Sequence, residues 1–470
     1  MRSEQGVAAD NNEPPPAPRD PSSYSMPELV DLLGGASSEL QQVAAQRLRT
    51  LLSRTAPPPP IQSAIEAGAV AALLALLRPA VDALPKLQFE AAWALTNISS
   101  GTHEDTAAVI AAGGVPAFVR LLSASASVDV REQCVWALGN IAGDSNSARD
   151  SVLGGGALAP LLTMLTGNDL PLSARRNGAW ALSNFCRFHK KAGGQRTQLA
   201  AVAPSLPLLA QQLLYSSDAE VLTDACWALS YVSDGPDENI SAVQGSGALP
   251  RLAVLLSHVD AKVVTPALRA VGNMLTGGTE QTQATIDAGV LPAIRDLLQH
   301  SEKAIRKEAC WALSNVAAGT PAQIQCLFEA RAIAPILGLA TGPHTDVRKE
   351  ALWTIANACD APSAQLVELV QEGCLPPLLA ALACPALSGA WACVGAVLEG
   401  LGKLHSRGML HRHVRYLAAA GLRDKLVLLG TGAGAAHLSA SARDGAGALL
   451  RFLDEAALHH NDEELPEAVG

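Results

Sequence analysis

The stretch Trp136-Ala-Leu-Gly-Asn140-Ile-Ala-Gly-Asp144 sets the frame of the chain. Trp136 and Asn140 are four residues apart, so on a helix they lie one above the other. Val135, Leu138 and Ile141 mark a second, apolar face. Gly143-Asp144 reads as the helix end. The same Trp-x-x-x-Asn spacing returns at Trp93/Asn97, Trp180/Asn184, Trp311/Asn315 and Trp353/Asn357. Trp227/Tyr231 and Arg269/Asn273 are variants in the same frame. Successive anchors from 93 to 353 are 43, 44, 47, 42, 42 and 42 residues apart.

A second marker recurs between the anchored helices. It is a Gly followed by small or apolar residues and often a Pro, as in Gly114-Val-Pro116, Gly247-Ala-Leu-Pro250, Gly289-Val-Leu-Pro292 and Gly373-Cys-Leu-Pro376. Gly ends one short helix in the left-handed conformation, and Pro opens the next. Each unit is thus a short helix, a corner, a second helix, a polar turn and a third helix carrying the anchor. A period of about 40–47 residues with three helices predicts armadillo repeats rather than two-helix HEAT units. The expected fold is all-α, a right-handed armadillo-repeat α-solenoid of about ten three-helix repeats over residues 26–456. In the first repeat Gln46 and Thr50 occupy the anchor positions, and past Trp353 Glu399 and Lys403 do. Trp391 is out of frame and reads as a packing residue. Residues 430–442 read as a loop and about 443–458 as a last helix. Residues 1–25, with Pro14-Pro15-Pro16, read as a disordered tail, and 457–470 as an acidic one.

Composition narrows the function. Hydrophobic residues are 49% of the chain and aromatics only 4%, which suits closely packed helices. A net charge of −10 argues against duplex nucleic acid and weakly favours a basic partner. The nine cysteines form no C-x-x-C pair, and Cys134, Cys226 and Cys310 precede anchors as core residues of a cytosolic or nuclear protein. The first 25 residues are polar and Pro-rich, unlike a secretory signal. No uninterrupted apolar run reaches the ~18–20 residues of a membrane span. No Gly-rich phosphate loop, H-E-x-x-H or G-x-S-x-G motif is present, so neither an enzyme nor a cofactor or metal is expected. His411 and His413 read as surface residues.

Five Asn repeated on one face would each need a partner if buried, because an unpaired amide costs roughly 1–3 kcal/mol. An open groove is the simpler expectation. Its amides would hold the backbone of an extended peptide. Neighbouring indoles would flank the stem of a Lys or Arg, with the charge near their faces. Carboxylates at fixed offsets would pair with the charged heads: Glu90, Asp224, Glu308 and Glu350 three before an anchor, and Asp144, Asp234 and Asp360 seven or eight after.

The segments Gln88-Phe-Glu-Ala-Ala-Trp-Ala-Leu-Thr-Asn97, Gln133 to Asp144, Asp224-Ala-Cys-Trp-Ala-Leu-Ser-Tyr231 and Lys307-Glu-Ala-Cys-Trp-Ala-Leu-Ser-Asn315 closely resemble the importin alpha family. So does Gly277 to Gly289. The resemblance implies a shuttling adaptor, found in cytoplasm and nucleus, that binds nuclear localisation signals of cargo proteins. It implies a major site of Trp93, Asn97, Gly101, Thr106, Gln133, Trp136, Asn140, Asp144, Asn177, Trp180 and Asn184, bordered by Asp224 and Trp227. Asp144 would pair with the key signal lysine. It implies a minor site of Asn273, Thr276, Glu308, Trp311, Asn315, Glu350, Trp353 and Asn357, with Arg269 separating the two. Thr279-Glu280-Gln281-Thr282 departs from the family's Asp-Glu-Gln-Thr, which would weaken the minor site. Family members also carry a basic N-terminal segment that binds importin beta and, when free, folds back into the groove. Residues 1–25 hold only Arg2 and Arg19 as basic side chains, so this chain is expected to be without that segment and to leave the groove open. The acidic C-terminal region loosely matches the contact with the family's export receptor. The other reading is an armadillo scaffold or regulator that binds extended peptides without a transport role.

Overall fold

Nine helices carry the anchor frame in the computed structural model, α1 (Ser38–Leu52), α2 (Pro85–Ile98), α3 (Val128–Asp144), α4 (Leu172–Cys186), α5 (Ala219–Ser233), α6 (Ala261–Met274), α7 (Lys303–Ala317), α8 (Thr345–Ala358) and α9 (Trp391–Ser406), and α10 (Ala440–Asp462) packs after them. The structure describes residues 20–55, 58–82, 84–190, 195–384, 390–431 and 435–462. Among these there is no strand. The protein is an all-α armadillo solenoid. Most of the expected 1–25 tail and the end of the acidic tail, 463–470, lie outside the described residues. The described chain opens on a 3₁₀ turn, Pro21–Ser23, before Met26–Leu33. The last helix extends to Asp462, past the boundary expected at 456. The loop expected at 430–442 holds a 3₁₀ turn, Ala435–His437, and the start of α10. Residues 432–434 lie outside the described residues.

The described residues form two compact bodies, one up to Ala181 and one from Leu182. In the first, α1, α2 and α3 pack in series; in the second, α5 to α10 do. Small residues make the close approach possible. In α3 the fully buried positions include Cys134, Ala137, Leu138, Ile141 and Ala142. A Cβ on Gly139 would sit 2.4 Å from the Trp180 ring, and one on Gly272 equally close to Trp311. At these two places the next repeat's indole rests directly on backbone.

Caps fix where the anchor helices start. Ser37, Ser127, Asp218 and Asp260 side chains accept the N–H of Leu40, Val130, Val221 and Lys262. The corners are left-handed at Gly247, Gly289 and Gly373, as expected. In the third repeat it is Gly113, with φ +89°, that takes this role and not Gly114. Gly114 is instead buried at the first turn, where a Cβ would lie 2.6 Å from Val109.

One corner lacks its glycine. Arg331 stands there at φ 56°, exposed, between Pro321–Glu329 and Ile333–Ala340. A left-handed L-residue is strained by roughly 1–2 kcal/mol, part of which glycine's greater unfolded-state entropy would offset. Arg331→Gly is therefore expected to stabilise the fold by about 0.5–1 kcal/mol in urea denaturation. A loss of stability would show that the Arg331 side chain makes a contribution larger than the strain.

Candidate functional site

In the first body the anchor face is open to solvent. Trp136 is 40% exposed, and Trp93 and Trp180 are half-buried. Trp93 meets Phe89 edge-on at 5.4 Å. The Arg49 guanidinium lies 4.4 Å over the Trp93 ring and pairs with Glu90. The expected lysine slot at Trp93 thus already holds a cation of the chain. Asp144 is the last residue of α3, and extended Ser145 caps the following helix, so the carboxylate sits at an edge. Its side chain is 15% exposed and lies 2.7 Å from Nδ1 of His103. A carboxylate can only accept, so that ring nitrogen donates. The contact with Asp144 raises the His103 pKa above its ordinary value.

Three other expected residues of this body act from beneath the surface or within the helices. Thr106 is buried, with its hydroxyl donating to the Ser99 carbonyl at 3.2 Å. Gln133 is buried and donates to Thr96 Oγ1 at 2.8 Å. Asn177 donates to Glu132 at 2.8 Å. Gly101 is exposed, and a Cβ there would collide with Asp105, which closes the capping box with Thr102.

In the second body Trp227 stacks on Tyr231 with centroids 5.7 Å apart. Arg269 lies 5.3 Å over the Trp311 ring and pairs with Glu308, repeating the Arg49, Trp93 and Glu90 arrangement. Trp311 and Trp353 are half-buried. Thr276 is exposed and donates to the Asn273 carbonyl at 2.7 Å. Asn184 is buried. Asp234 is held by Lys190 and Arg196, and Asp360 by Lys403 at 2.6 Å.

The asparagines overturn one step of the sequence argument. Each has a partner inside the protein, and the partner follows a rule. Asn97 donates to the Arg49 carbonyl and to Ser53 Oγ, Asn140 to Thr96, Asn273 to Ser230, Asn315 to Gly272 and Asn357 to Ser314, at 2.8–3.4 Å. The acceptor is always the residue just before the Asn position of the preceding anchor helix. These carbonyls use their second lone pair. The amide is a register pin between repeats, and at Asn97 and Asn273 its nitrogen also donates to a serine hydroxyl, of Ser53 and Ser233.

Asp224 and Glu350 differ from the other carboxylates on this face. Neither is in an ion pair among the described residues. Burial raises the pKa of both, that of Asp224 to about 7, with Glu220 adding to it. A folded-state value above the unfolded one means that the stability contribution is complete below the ordinary 3.8 and is lost as pH climbs through 7. A cation placed beside Asp224 favours the ionised form and releases a proton. Affinity for a basic peptide is therefore expected to rise with pH through about 7 and then level. Asp224→Asn should flatten this rise in a pH series of titrations. An unchanged profile in the variant would remove Asp224 from the site.

Sequence reasoning missed His103, Arg49, Lys190 and Arg196, and the pairing of Lys403 with Asp360. Each comes from another repeat or a connecting segment. His103 and Arg49 lie 41 residues before their carboxylates. Among the described residues, no group of His, Cys, Asp and Glu is placed to hold a metal, and no single helix is long and apolar enough to cross a membrane.

Comparisons with known proteins agree with this architecture. The Armadillo/beta-catenin-like repeat model matches residues 57–100, 102–143, 196–234, 236–276 and 278–318, and a HEAT-like repeat model matches 306–358. An engineered protein of known crystal structure superposes with a TM-score of 0.78 at 28% identity, over 91% of this chain and 98% of that one. The chain is 51% identical over 234 residues to importin subunit alpha-2 of Arabidopsis thaliana. It is 50% identical over 233 residues to importin subunit alpha-1b of Oryza sativa subsp. japonica. Each alignment covers 50% of this chain and 42% of the relative, so the chain spans less than half the length of these relatives. Armadillo repeats in series, with about half the residues identical across the aligned stretch, make this chain similar to importin alpha proteins over about half of its length.

Proposed function

We propose that this chain is a nuclear import adaptor whose Trp/Asn face binds the basic localisation signals of cargo proteins. The observation that carries the reading is the repeated grouping of an indole that reaches solvent, an amide and a carboxylate. Trp136, Asn140 and Asp144 are one instance, and Glu350, Trp353 and Asn357 another. Arg49 and Arg269 show what fits such a grouping: each puts a guanidinium over an indole and its charge on a carboxylate three residues before it. A lysine or arginine of a peptide has the same chemistry. The half-buried carboxylates Asp224 and Glu350 favour a cationic ligand further.

Trp93, Asn97, Gly101, Thr106, Gln133, Trp136, Asn140, Asp144, Asn177, Trp180, Asn184, Asp224 and Trp227 would form the major site. Arg269, Asn273, Thr276, Glu308, Trp311, Asn315, Glu350, Trp353 and Asn357 would form the minor one. Importin beta and the family's export receptor are the proposed transport partners, with shuttling between cytoplasm and nucleus. In permeabilised cells supplied with importin beta and an energy source, adding this protein should carry a fluorescent reporter bearing a basic signal into the nucleus. Binding of the signal peptide without accumulation would favour a peptide-binding scaffold. No binding would overturn both readings.

A further inference from the structure

Asp234 is held by two cations, Lys190 and Arg196. Lys190 Nζ lies 2.8 Å from Oδ2, and Arg196 Nη1 lies 3.3 Å from Oδ1. Arg196 also donates to the Asp234 backbone carbonyl. The Phe188 ring lies 5.1 Å from the Arg196 guanidinium, and Thr197 Oγ1 donates to the Cys186 carbonyl at 3.3 Å. Arg187 approaches the face of Tyr231, at 6.0 Å from the ring centre. Lys190, Trp227, Tyr231, Asp234, Arg269 and Asn273 line one pocket of about 460 Å³. Asp234 follows Trp227 by seven residues, the offset at which Asp360 follows Trp353.

We infer that Lys190 and Arg196 stand where a ligand's basic side chains would at Asp234, as an internal competitor that a basic peptide must displace to use this carboxylate. The inference rests on the groove reading above. Both oxygens of Asp234 are engaged, so an incoming cation gains little unless one occupant leaves. The occupants can leave: the side chains of Lys190, Arg196 and Asp234 are 62%, 45% and 34% exposed, and exposed pairs of this kind are weak. They also return readily, because they belong to the same chain and act at a high effective concentration. The consequence is selectivity. A peptide with a cation opposite Asp234 must compete, whereas one with a neutral residue there need not.

A purely structural role predicts something else. Asp234 caps the C-terminus of α5, where a cation on the last carbonyls stabilises a helix end. Removing the cations would then lower the melting temperature and leave peptide affinity alone. The test uses the full chain, fluorescence anisotropy and an octapeptide of alternating Lys and Arg. Lys190→Ala with Arg196→Ala should tighten binding about three- to tenfold. Asp234→Asn alone should change affinity by less than about twofold, because its charge is already neutralised. Added to the double variant, Asp234→Asn should abolish the gain. Additive effects would instead show only the changed net charge and would overturn the inference. Unchanged or weaker binding by the double variant would overturn it as well. Failure of the groove reading looks different: no protein, wild type included, binds the peptide, and the competitor falls with it.

Discussion

Asp144→Lys is expected to weaken binding of a basic signal peptide by roughly 2–5 kcal/mol, the range for breaking a desolvated charge pair. The reason lies in its placement. Asp144 ends α3 at the edge of the anchor face, only 15% exposed, beside the exposed indole of Trp136. A lysine there would repel both the ligand and His103, whose ring lies 2.7 Å from the present carboxylate. The fold should survive, because the residue is at a helix end and no core side chain depends on it. Titration calorimetry with matched thermal melts would check this. Unchanged affinity would remove Asp144 from the site, and a large fall in melting temperature would assign it a structural task.

Trp136→Ala combined with Trp180→Ala is expected to cost binding at least as much as a typical hot-spot tryptophan, about 2–4 kcal/mol. The core around α3 is built from Val130, Cys134, Leu138 and Ile141, not from these rings. Trp180 does contribute one packing surface, since it rests on Gly139, so a modest drop in stability accompanies the loss of binding. Far-ultraviolet circular dichroism should keep its helical signal. Its collapse would mean that the indoles belong to the core.

Much of the fold was legible because an armadillo array writes its period into the sequence. The anchors marked nine helices, each the last of its repeat, and the Gly/Pro corners marked the turns. The misplaced corner at Gly113 shows the limit. Two adjacent glycines carry the same turn signal, and only packing against Val109 decides which is left-handed. Arg331 shows the converse, a corner kept in shape by its neighbours without the residue type that favours it. The resemblance to a known family named the site residues, and the structure gave several of them tasks that no spacing reveals. The asparagines pin one repeat to the preceding one through backbone carbonyls, which leave no mark in a sequence. Thr106 and Gln133 are spent on internal hydrogen bonds. The largest omission was electrostatic. A carboxylate at a fixed offset announces itself, but the cation that answers it comes from another repeat or a connecting segment, as His103, Arg49 and Lys403 do.

The central claim is that the anchor face holds the basic side chains of an extended peptide. A double-mutant cycle across the contact tests it most directly. Asp144→Ala in the protein is combined with alanine at each lysine of a basic signal peptide in turn, and all four affinities are measured for each pair. The account predicts that one lysine couples to Asp144 by at least about 1.5 kcal/mol, the lower end for close charge pairs across an interface, while the others couple by less than about 0.5 kcal/mol. Equal, near-zero coupling at every lysine would contradict it, because the peptide would then be responding to the net negative charge of the chain and not to a site.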